Sequence, residues 1–399
     1  MALERYGHGG DLLSATEAYG RPATDWLDYS SNMNPWGPPE VISHIMKEHW
    51  RDIARYPDPA VRGLRSKLSE AYQIPMDSIL VGNGAAELID LVVRVLHPEE
   101  TVIARPSFSE YEEAVHKIGG WIKDVTLHAD QQFELRNLRD LVCGSGCSSD
   151  SRSESENESR TRNESRTRNG NGAKINFASK NGSGSVPSRY VFLGHPNNPT
   201  GRLIPTPVLD ELRDSGIGLI LDEAFIDFLP DERNFSYIRY AAESEHIVVI
   251  RSMTKFYAIP GIRLGFLVAH PQFIRKLEAF QTQWSVNYLA QLIGEAVLDE
   301  HDYAKITRAW LVDERTWLTR QLQALGLIVY PSSVNFLLIS LPEHTGLNVQ
   351  QLQRAMAERG ILIRDASLFR GLDTSYFRIA IRLRHDNERL LKELKVCLS

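Results

Sequence analysis

Cysteine is scarce: Cys143, Cys147 and Cys397 are the only three in 399 residues. So small and odd a count excludes a disulfide framework, and C-x3-C without a nearby histidine pair makes a poor zinc site. No metal is expected, and a reducing cytoplasm is the expected setting. Long apolar runs are also missing. The start, MALERYGHGGDLL, has no apolar h-region, and no stretch approaches the ~18 apolar residues of a membrane span. A soluble chain with no membrane contact is expected. Nor is one sign of charge in large excess. With 45 Lys and Arg against 51 Asp and Glu, the formal net charge is −6. That balance gives no global attraction to nucleic acid or acidic lipid. A cationic site must therefore be local.

The composition is that of an ordinary globular protein, 42% hydrophobic and 24% charged, and the length favours one large domain with a smaller one. Between about residues 40 and 270 helix-like and strand-like segments alternate. AVRGLRSKLSEAYQI and AAELIDLVVRVLH have helical periodicity. SILVGNG, TVIARPS, RYVFLGHP, GLILDEAF and HIVVIRS are short β-rich runs. This alternation predicts an α/β domain around a mostly parallel sheet, whose ligands gather at the carboxyl ends of strands. Polar residues do follow the apolar runs there: Asn83, Asn197, Asn198, Asp222, Ser252 and Lys255.

From about 271 to 399 come long helical stretches, then LIVYPSSVNFLLISL, a helix near NVQQLQRAMAERG, and strand-like ILIRDAS and YFRIAIR. The expected division is a large domain over 36–270, a smaller α+β C-terminal domain over 271–399, and an arm over 1–35 that packs with the smaller domain. Residues 144–187 do not fit either core. They are rich in Ser, Asn, Gly, Arg and Glu, and repeat ESRTRN at 158 and 164. So little there can be buried that a disordered or mobile surface insertion is expected, and loop closure tolerates added length.

The segment SMTKFYAIPGIRLGF, residues 252–266, places Ser252 three residues before Lys255 and Arg263 eight after. A lysine amine can form an imine with a carbonyl cofactor. A hydroxyl and a guanidinium suit a phosphate, and Gly261 and Gly265 allow close backbone approach. Alone, a lysine after a strand is an ordinary surface charge. In VGNGAAE, residues 81–87, a strand ends in glycine and opens a helix, offering unpaired N–H groups and a positive dipole end to an anion. It has neither the Lys-Ser/Thr of a P-loop nor the third glycine of a dinucleotide fingerprint. Asp222 in LDEAF could pair with a protonated ring nitrogen, or simply cap a helix. Asn198 lies in the turn HPNNPTG and could donate to a ring oxygen.

Together and in order, GNGAAE, PSFSEY, HPNNPTG, LDEAF, SMTKFYAIPGIRLGF and YFRIAIR resemble the fold-type I pyridoxal-phosphate enzymes. The branch is that of histidinol-phosphate aminotransferases and threonine-phosphate decarboxylases, and the likeness covers nearly the whole chain except 144–187. The resemblance implies pyridoxal 5'-phosphate as cofactor. Lys255 would bind it covalently, Asp222 would pair with the pyridine nitrogen, Asn198 would bond the ring hydroxyl oxygen and Phe108 would stack on the ring. Gly84, Ala85, Ser252 and Arg263 would hold its phosphate. Tyr56, in RYPDP, would reach a neighbouring subunit's phosphate, which implies a homodimer. Many relatives carry a tyrosine where this chain has Phe225, so one hydrogen bond to the ring oxygen would be absent.

YGHGGD and LDYSSNMNPWGPP resemble the N-terminal arm of the decarboxylases, and ILIRDASLFRGL with YFRIAIR resembles their C-terminal domain. By that likeness His8, Gly9, Asn32, Asn198, Arg364 and Arg378 would contact O-phospho-L-threonine. Arg378 would take the carboxylate, with His8, Asn32 and Arg364 at or near the phosphate. The implied reaction is decarboxylation to (R)-1-amino-2-propanol O-2-phosphate, the linker of the cobalamin nucleotide loop. The alternative is transamination of histidinol phosphate.

Overall fold

The computed structural model describes residues 9–138, 141 and 187–398. His8, and all of the 144–187 insertion except Pro187, lie outside the described residues. After a helix at Leu12–Tyr19, strand β1 (Leu27–Asp28) leads into the helices Glu40–His49 and Arg62–Tyr72.

Seven strands then build the central sheet: β2 (Ile79–Gly82), β3 (Glu100–Arg105), β4 (Trp121–Thr126), β5 (Arg189–Gly194), β6 (Gly218–Asp222), β7 (Ile247–Ser252) and β8 (Gly265–Val268). Their spatial order is β2-β8-β7-β6-β5-β3-β4. Neighbours from β4 to β7 are parallel, while β8 runs against both β7 and β2. Helices Ser109–Lys117, Thr206–Asp214 and Ile238–Glu243 make the crossovers that parallel strands need. Successive side chains of a strand point to opposite faces, and the core divides accordingly. Ile79, Val81, Leu219, Leu221 and Val249 join one apolar layer, while Leu80, Ile220, Val248 and Ile250 join the other. Buried on both sides, these runs cannot show a polar alternation.

After residue 270, helices Pro271–Phe280 and Tyr288–Val297 pack on the two layers of the central sheet, and the long helix His301–Ala324 leads into the C-terminal part. It continues with β9 (Ile328–Val329), β10 (Phe336–Ser340), β11 (Ile361–Leu362), β12 (Arg364–Asp365) and β13 (Tyr376–Ala380). Four strands form an antiparallel sheet in the order β12-β13-β10-β9, and β11 pairs in parallel with β1. Leu311, Leu318 and Leu322 repeat on one helix face and share a core with Phe336, Ile339 and Phe377, which also receives Leu27 and Tyr29 of the N-terminal arm. Among the described residues, no helix is long and apolar enough to cross a membrane.

A buried ion pair fixes the ends of the two central strands. Arg251, fully enclosed, donates to Glu223 at 3.0 Å and to Asp227 at 2.6 Å, and its guanidinium also reaches the Tyr72 hydroxyl at 3.2 Å. Glu223 accepts in turn from the Tyr237 N–H and the Ser236 hydroxyl, both at 2.7 Å. A buried charge that loses its partner is costly. Glu223→Gln should therefore lower the stability by about 3 kcal/mol, the low end for a broken buried pair because Asp227 still faces Arg251. A shift of the urea midpoint measures this; an unchanged midpoint would show that the pair carries no stability.

Candidate active site

The carboxyl ends of β2, β3, β5, β6 and β7 border a cavity of about 340 Å³, closed on its far side by the N-terminal arm and the C-terminal sheet. Because β8 is reversed, its beginning rather than its end lies on the same rim. The register places Gly82 and Ser252 on either side of Gly265. A Cβ at Gly265 would come within 2.8 Å of the Arg251 carbonyl oxygen and 2.9 Å of the Ala85 nitrogen, so only glycine permits this closeness. The approach brings together the start of the Ala85–Leu96 helix, Ser252 and Arg263. Gly84, at φ 87°, precedes that helix, and a side chain there would collide with the Arg263 guanidinium. Ala85, Ala86, Ser252 and Arg263 line the cavity. Helix-end N–H groups, a hydroxyl and a guanidinium make a donor set for a doubly charged phosphate.

Lys255 follows β7 by three residues and lines the cavity, with its ammonium donating to Thr254 Oγ1 at 3.0 Å. Burial, and then the nearby Arg263 charge, push its amine from the ordinary 10.5 down to about 8; Asp222 opposes the shift. Ser252 and Thr254 hydroxyls are 2.9 Å apart. Asp222 closes β6. Its Oδ2 accepts from the Tyr111 hydroxyl at 2.7 Å and its Oδ1 from the Ala224 N–H at 2.9 Å. Burial raises this carboxyl, while those two bonds and the Lys255 charge favour its ionised form.

On the opposite wall, β12 and β13 pair Arg364 directly with Arg378, and both side chains are buried and line the cavity. Like charges facing across strands repel, so this wall suits an anionic ligand. Both guanidinium groups lie over Phe369, at 5.3 and 5.7 Å from its ring centre. Arg378 also donates to Asn198 Oδ1 at 2.5 Å and to the Ser30 carbonyl at 2.8 Å. With its Oδ1 so engaged, the Asn198 amide has its N–H donors left for a ligand. The residue after Phe369, Arg370, spans to the central layer, meeting Glu112 at 3.0 Å and Asp124 at 2.8 Å.

Of the residues singled out in the sequence, the cavity gathers Lys255, Asp222, Asn198, Ala85, Phe108, Ser252, Arg263, Gly9, Asn32, Arg364 and Arg378, with Gly84 packed beneath Arg263. Gly9 is held against the Ser30 backbone, where a Cβ would overlap the Ser30 carbonyl. Asn32 lines the cavity, and its Oδ1 is buried with no hydrogen-bond partner among the described residues. Phe225 borders the cavity and meets Phe336 edge-on at 5.0 Å. Tyr56 is not in the cavity: it is 82% exposed and rests against Trp284 at 5.1 Å. Sequence reasoning missed Tyr111, although its motif PSFSEY was in view, because nothing in that spacing shows the hydroxyl reaching Asp222. It also missed Thr254 and Arg370.

These residues fit pyridoxal phosphate. A phosphate cradle that admits no side chain at Gly84, an amine with a lowered pKa and a buried, hydrogen-bonded carboxylate occupy one cavity. The lowered pKa makes a prediction. In cofactor-stripped protein, the rate at which trinitrobenzenesulfonate modifies Lys255, followed by peptide mapping, should rise with pH to a midpoint near 8, because only the neutral amine reacts. A midpoint above 10 would mark an ordinary solvated lysine.

Comparison with known proteins agrees with this arrangement. The family model Aminotransferase class I and II matches residues 24–142 and 173–394. Over 100% of its length the chain is 34% identical to the threonine-phosphate decarboxylase of Salmonella typhimurium, covering 98% of that protein. It is 28% identical to the adenosylcobalamin biosynthesis bifunctional protein CobDQ of Leptospira interrogans, over 96% of this chain and 40% of that one. The crystal structure of the histidinol-phosphate aminotransferase from Clostridium acetobutylicum superposes with a TM-score of 0.76 at 27% identity, covering 93% of this chain and 98% of that one. A family model matched over most of the sequence and a relative aligned from end to end establish that the chain belongs to the aminotransferase class I and II family.

Proposed function

We propose that the protein decarboxylates L-threonine O-3-phosphate to (R)-1-amino-2-propanol O-2-phosphate with pyridoxal 5'-phosphate, providing the aminopropanol linker of the cobalamin nucleotide loop. The observation that carries this reading is the pair of buried guanidinium groups, Arg364 and Arg378, facing the cofactor anchors across one cavity. A substrate with two anionic groups matches that wall. The end-to-end likeness to a threonine-phosphate decarboxylase supports the same substrate class.

Bound here, pyridoxal phosphate supplies the electron sink for the pair left on Cα when the carboxylate departs as carbon dioxide. The protein's part is orientation and proton control. Arg378 grips the carboxylate while Arg364 and Asn32 receive the substrate phosphate, and holding both ends sets which Cα bond is aligned for cleavage. Asp222, its charge favoured by two hydrogen bonds, would pair with the ring nitrogen. Lys255 is the only lysine lining the cavity among the described residues, and it returns a proton to Cα. Its lowered pKa keeps part of the amine neutral near pH 8, so it can both take up and give a proton there.

Histidinol-phosphate aminotransferases share the fold, and transamination is the second reading. The two separate by product. Incubation with phosphothreonine should release carbon dioxide, whereas histidinol phosphate with 2-oxoglutarate should yield no glutamate above background. Lys255→Ala should abolish carbon dioxide release and leave no cofactor that borohydride can fix to residue 255. Glutamate formation without carbon dioxide would overturn the decarboxylase reading.

We also propose a cytoplasmic homodimer in which Tyr56 reaches the partner's cofactor phosphate, with a large domain over 36–270 and a small one over 271–399. Tyr56, Trp284, Ile53 and Trp50 are exposed, and Tyr56 lies outside the chain's own cavity. Light scattering should give twice the chain mass, and Tyr56→Phe should weaken cofactor binding about tenfold, as expected for one lost charge-assisted hydrogen bond. A monomer with full cofactor affinity would contradict it.

A further inference from the structure

Among the described residues, Tyr111 is the one side chain that hydrogen-bonds to Asp222, and no role follows for it from the site residues already assigned. It is 1% exposed, and its hydroxyl donates to Asp222 Oδ2 at 2.7 Å. Its ring stacks on Phe192 with centroids 4.1 Å apart and planes inclined by 19°. Phe108, which borders the cavity, meets it edge-on at 5.8 Å and 84°. The phenol is thus clamped on two sides, and its hydroxyl has one destination.

The route to Asp222 exists because of a glycine. Gly194 ends β5 and is the register partner of Asp222 on β6. A Cβ at Gly194 would sit 3.2 Å from the Tyr111 hydroxyl and 3.0 Å from the Asn197 Cα. Both contacts are tighter than nearly all real Cβ contacts, so a side chain there would push its neighbours aside by a few tenths of an ångström, and glycine leaves the path clear. The carboxylate is then held through both oxygens, Oδ2 by Tyr111 and Oδ1 by the Ala224 N–H. Each carboxylate oxygen has a further lone pair, and Asp222 lines the cavity.

We propose that Tyr111 is a positioning residue for Asp222: it orients the carboxylate and sustains its charge, so that it binds a protonated ring nitrogen, and through Phe108 it also braces the residue expected on the ring face. The inference rests on the pyridoxal-phosphate reading above. Physically, a carboxylate taken wholly out of water tends to protonate. A neutral donor that cannot itself give up its proton counteracts this without adding a competing positive charge. Burial and the adjacent Asp222 raise the Tyr111 phenol well above its ordinary range, so it remains a donor.

The test compares two ligands. Cofactor-stripped wild type and Tyr111→Phe are titrated with pyridoxal phosphate and with its 1-deaza analogue, in which a C–H replaces the ring nitrogen, and dissociation constants are read from absorbance and protein fluorescence. Phenylalanine keeps the ring that packs on Phe192 and Phe108. A hydrogen bond to a charged group is worth enough that the variant should bind pyridoxal phosphate roughly ten- to a hundredfold more weakly. For the deaza analogue the difference should shrink to within about threefold, because Asp222 then has no nitrogen to pair with. A second variant, Tyr111→Phe in an Asp222→Asn background, should add no further loss for pyridoxal phosphate. Equal weakening for both ligands would make Tyr111 a packing residue and overturn the proposal, as would unchanged affinity for pyridoxal phosphate. Wild-type protein that binds neither ring would overturn the cofactor reading itself, and this inference with it, a result distinct from wild-type binding to which Tyr111 is indifferent.

Discussion

Two consecutive carboxylates leave water at the end of β6, and much of the molecule is arranged around what each of them requires. Asp222 and Glu223 point to opposite sides because successive strand residues do so. Glu223 turns to the structural side and is neutralised by Arg251 from the neighbouring strand. Asp222 turns to the cavity and has no arginine beside it, only neutral donors and, further off, the Lys255 ammonium. One ion pair is therefore spent on rigidity, and the neighbouring charge is reserved for a ligand. Exchanging the two would place a saturated pair in the cavity and an uncompensated charge in the core.

The second condition is the closeness of backbones at the rim. Parallel strands spread their ends over a broad edge, and a phosphate needs donors converging within a few ångströms. The reversed β8 meets this need by starting where its neighbours finish. Gly265, Gly84 and Gly194 then let backbone or side chain approach at positions where any Cβ would intrude. These glycines serve distinct ends: two assemble the anion cradle, and one clears the way from Tyr111 to Asp222.

How far this was legible in the sequence depends on the range of the interaction. Five of the seven strand runs of the central sheet were evident, since stretches such as ILVG, VFLG and LILD are apolar and end in a turn residue or a carboxylate; β4, with its mixed WIKDVT, was not. Nor was β8, whose short GFLV follows directly on the glycine-rich segment, and its direction is decided by pairing alone. LIVYPSSVNFLLISL read as a continuous strand-like stretch, but Pro331 and the two serines interrupt it, leaving Ile328–Val329 and Phe336–Ser340 as separate strands. The long helical run after 288 divides in the same way, between Val297 and His301. In the site, Lys255, Asp222 and Arg263 were visible because their chemistry is local to short motifs. Tyr111 was not, since its partner lies 111 residues away and the path between them passes a glycine of the neighbouring strand β5. Tyr56 shows the opposite limit: its motif was recognisable, and the geometry of one chain leaves it outside the cavity.

Arg370 joins layers that are far apart in the chain. Its guanidinium is 59% exposed and bridges Glu112 and Asp124 on the central layer, while the preceding Phe369 forms the aromatic floor under Arg364 and Arg378. Ion pairs this open to water weaken as dissolved ions screen them. The tightness of the wall that receives an anionic substrate is thereby linked to the ionic strength outside, and crowding by salt would act on this molecule first as a loosening hinge beside its own ligand rather than as a loss of fold.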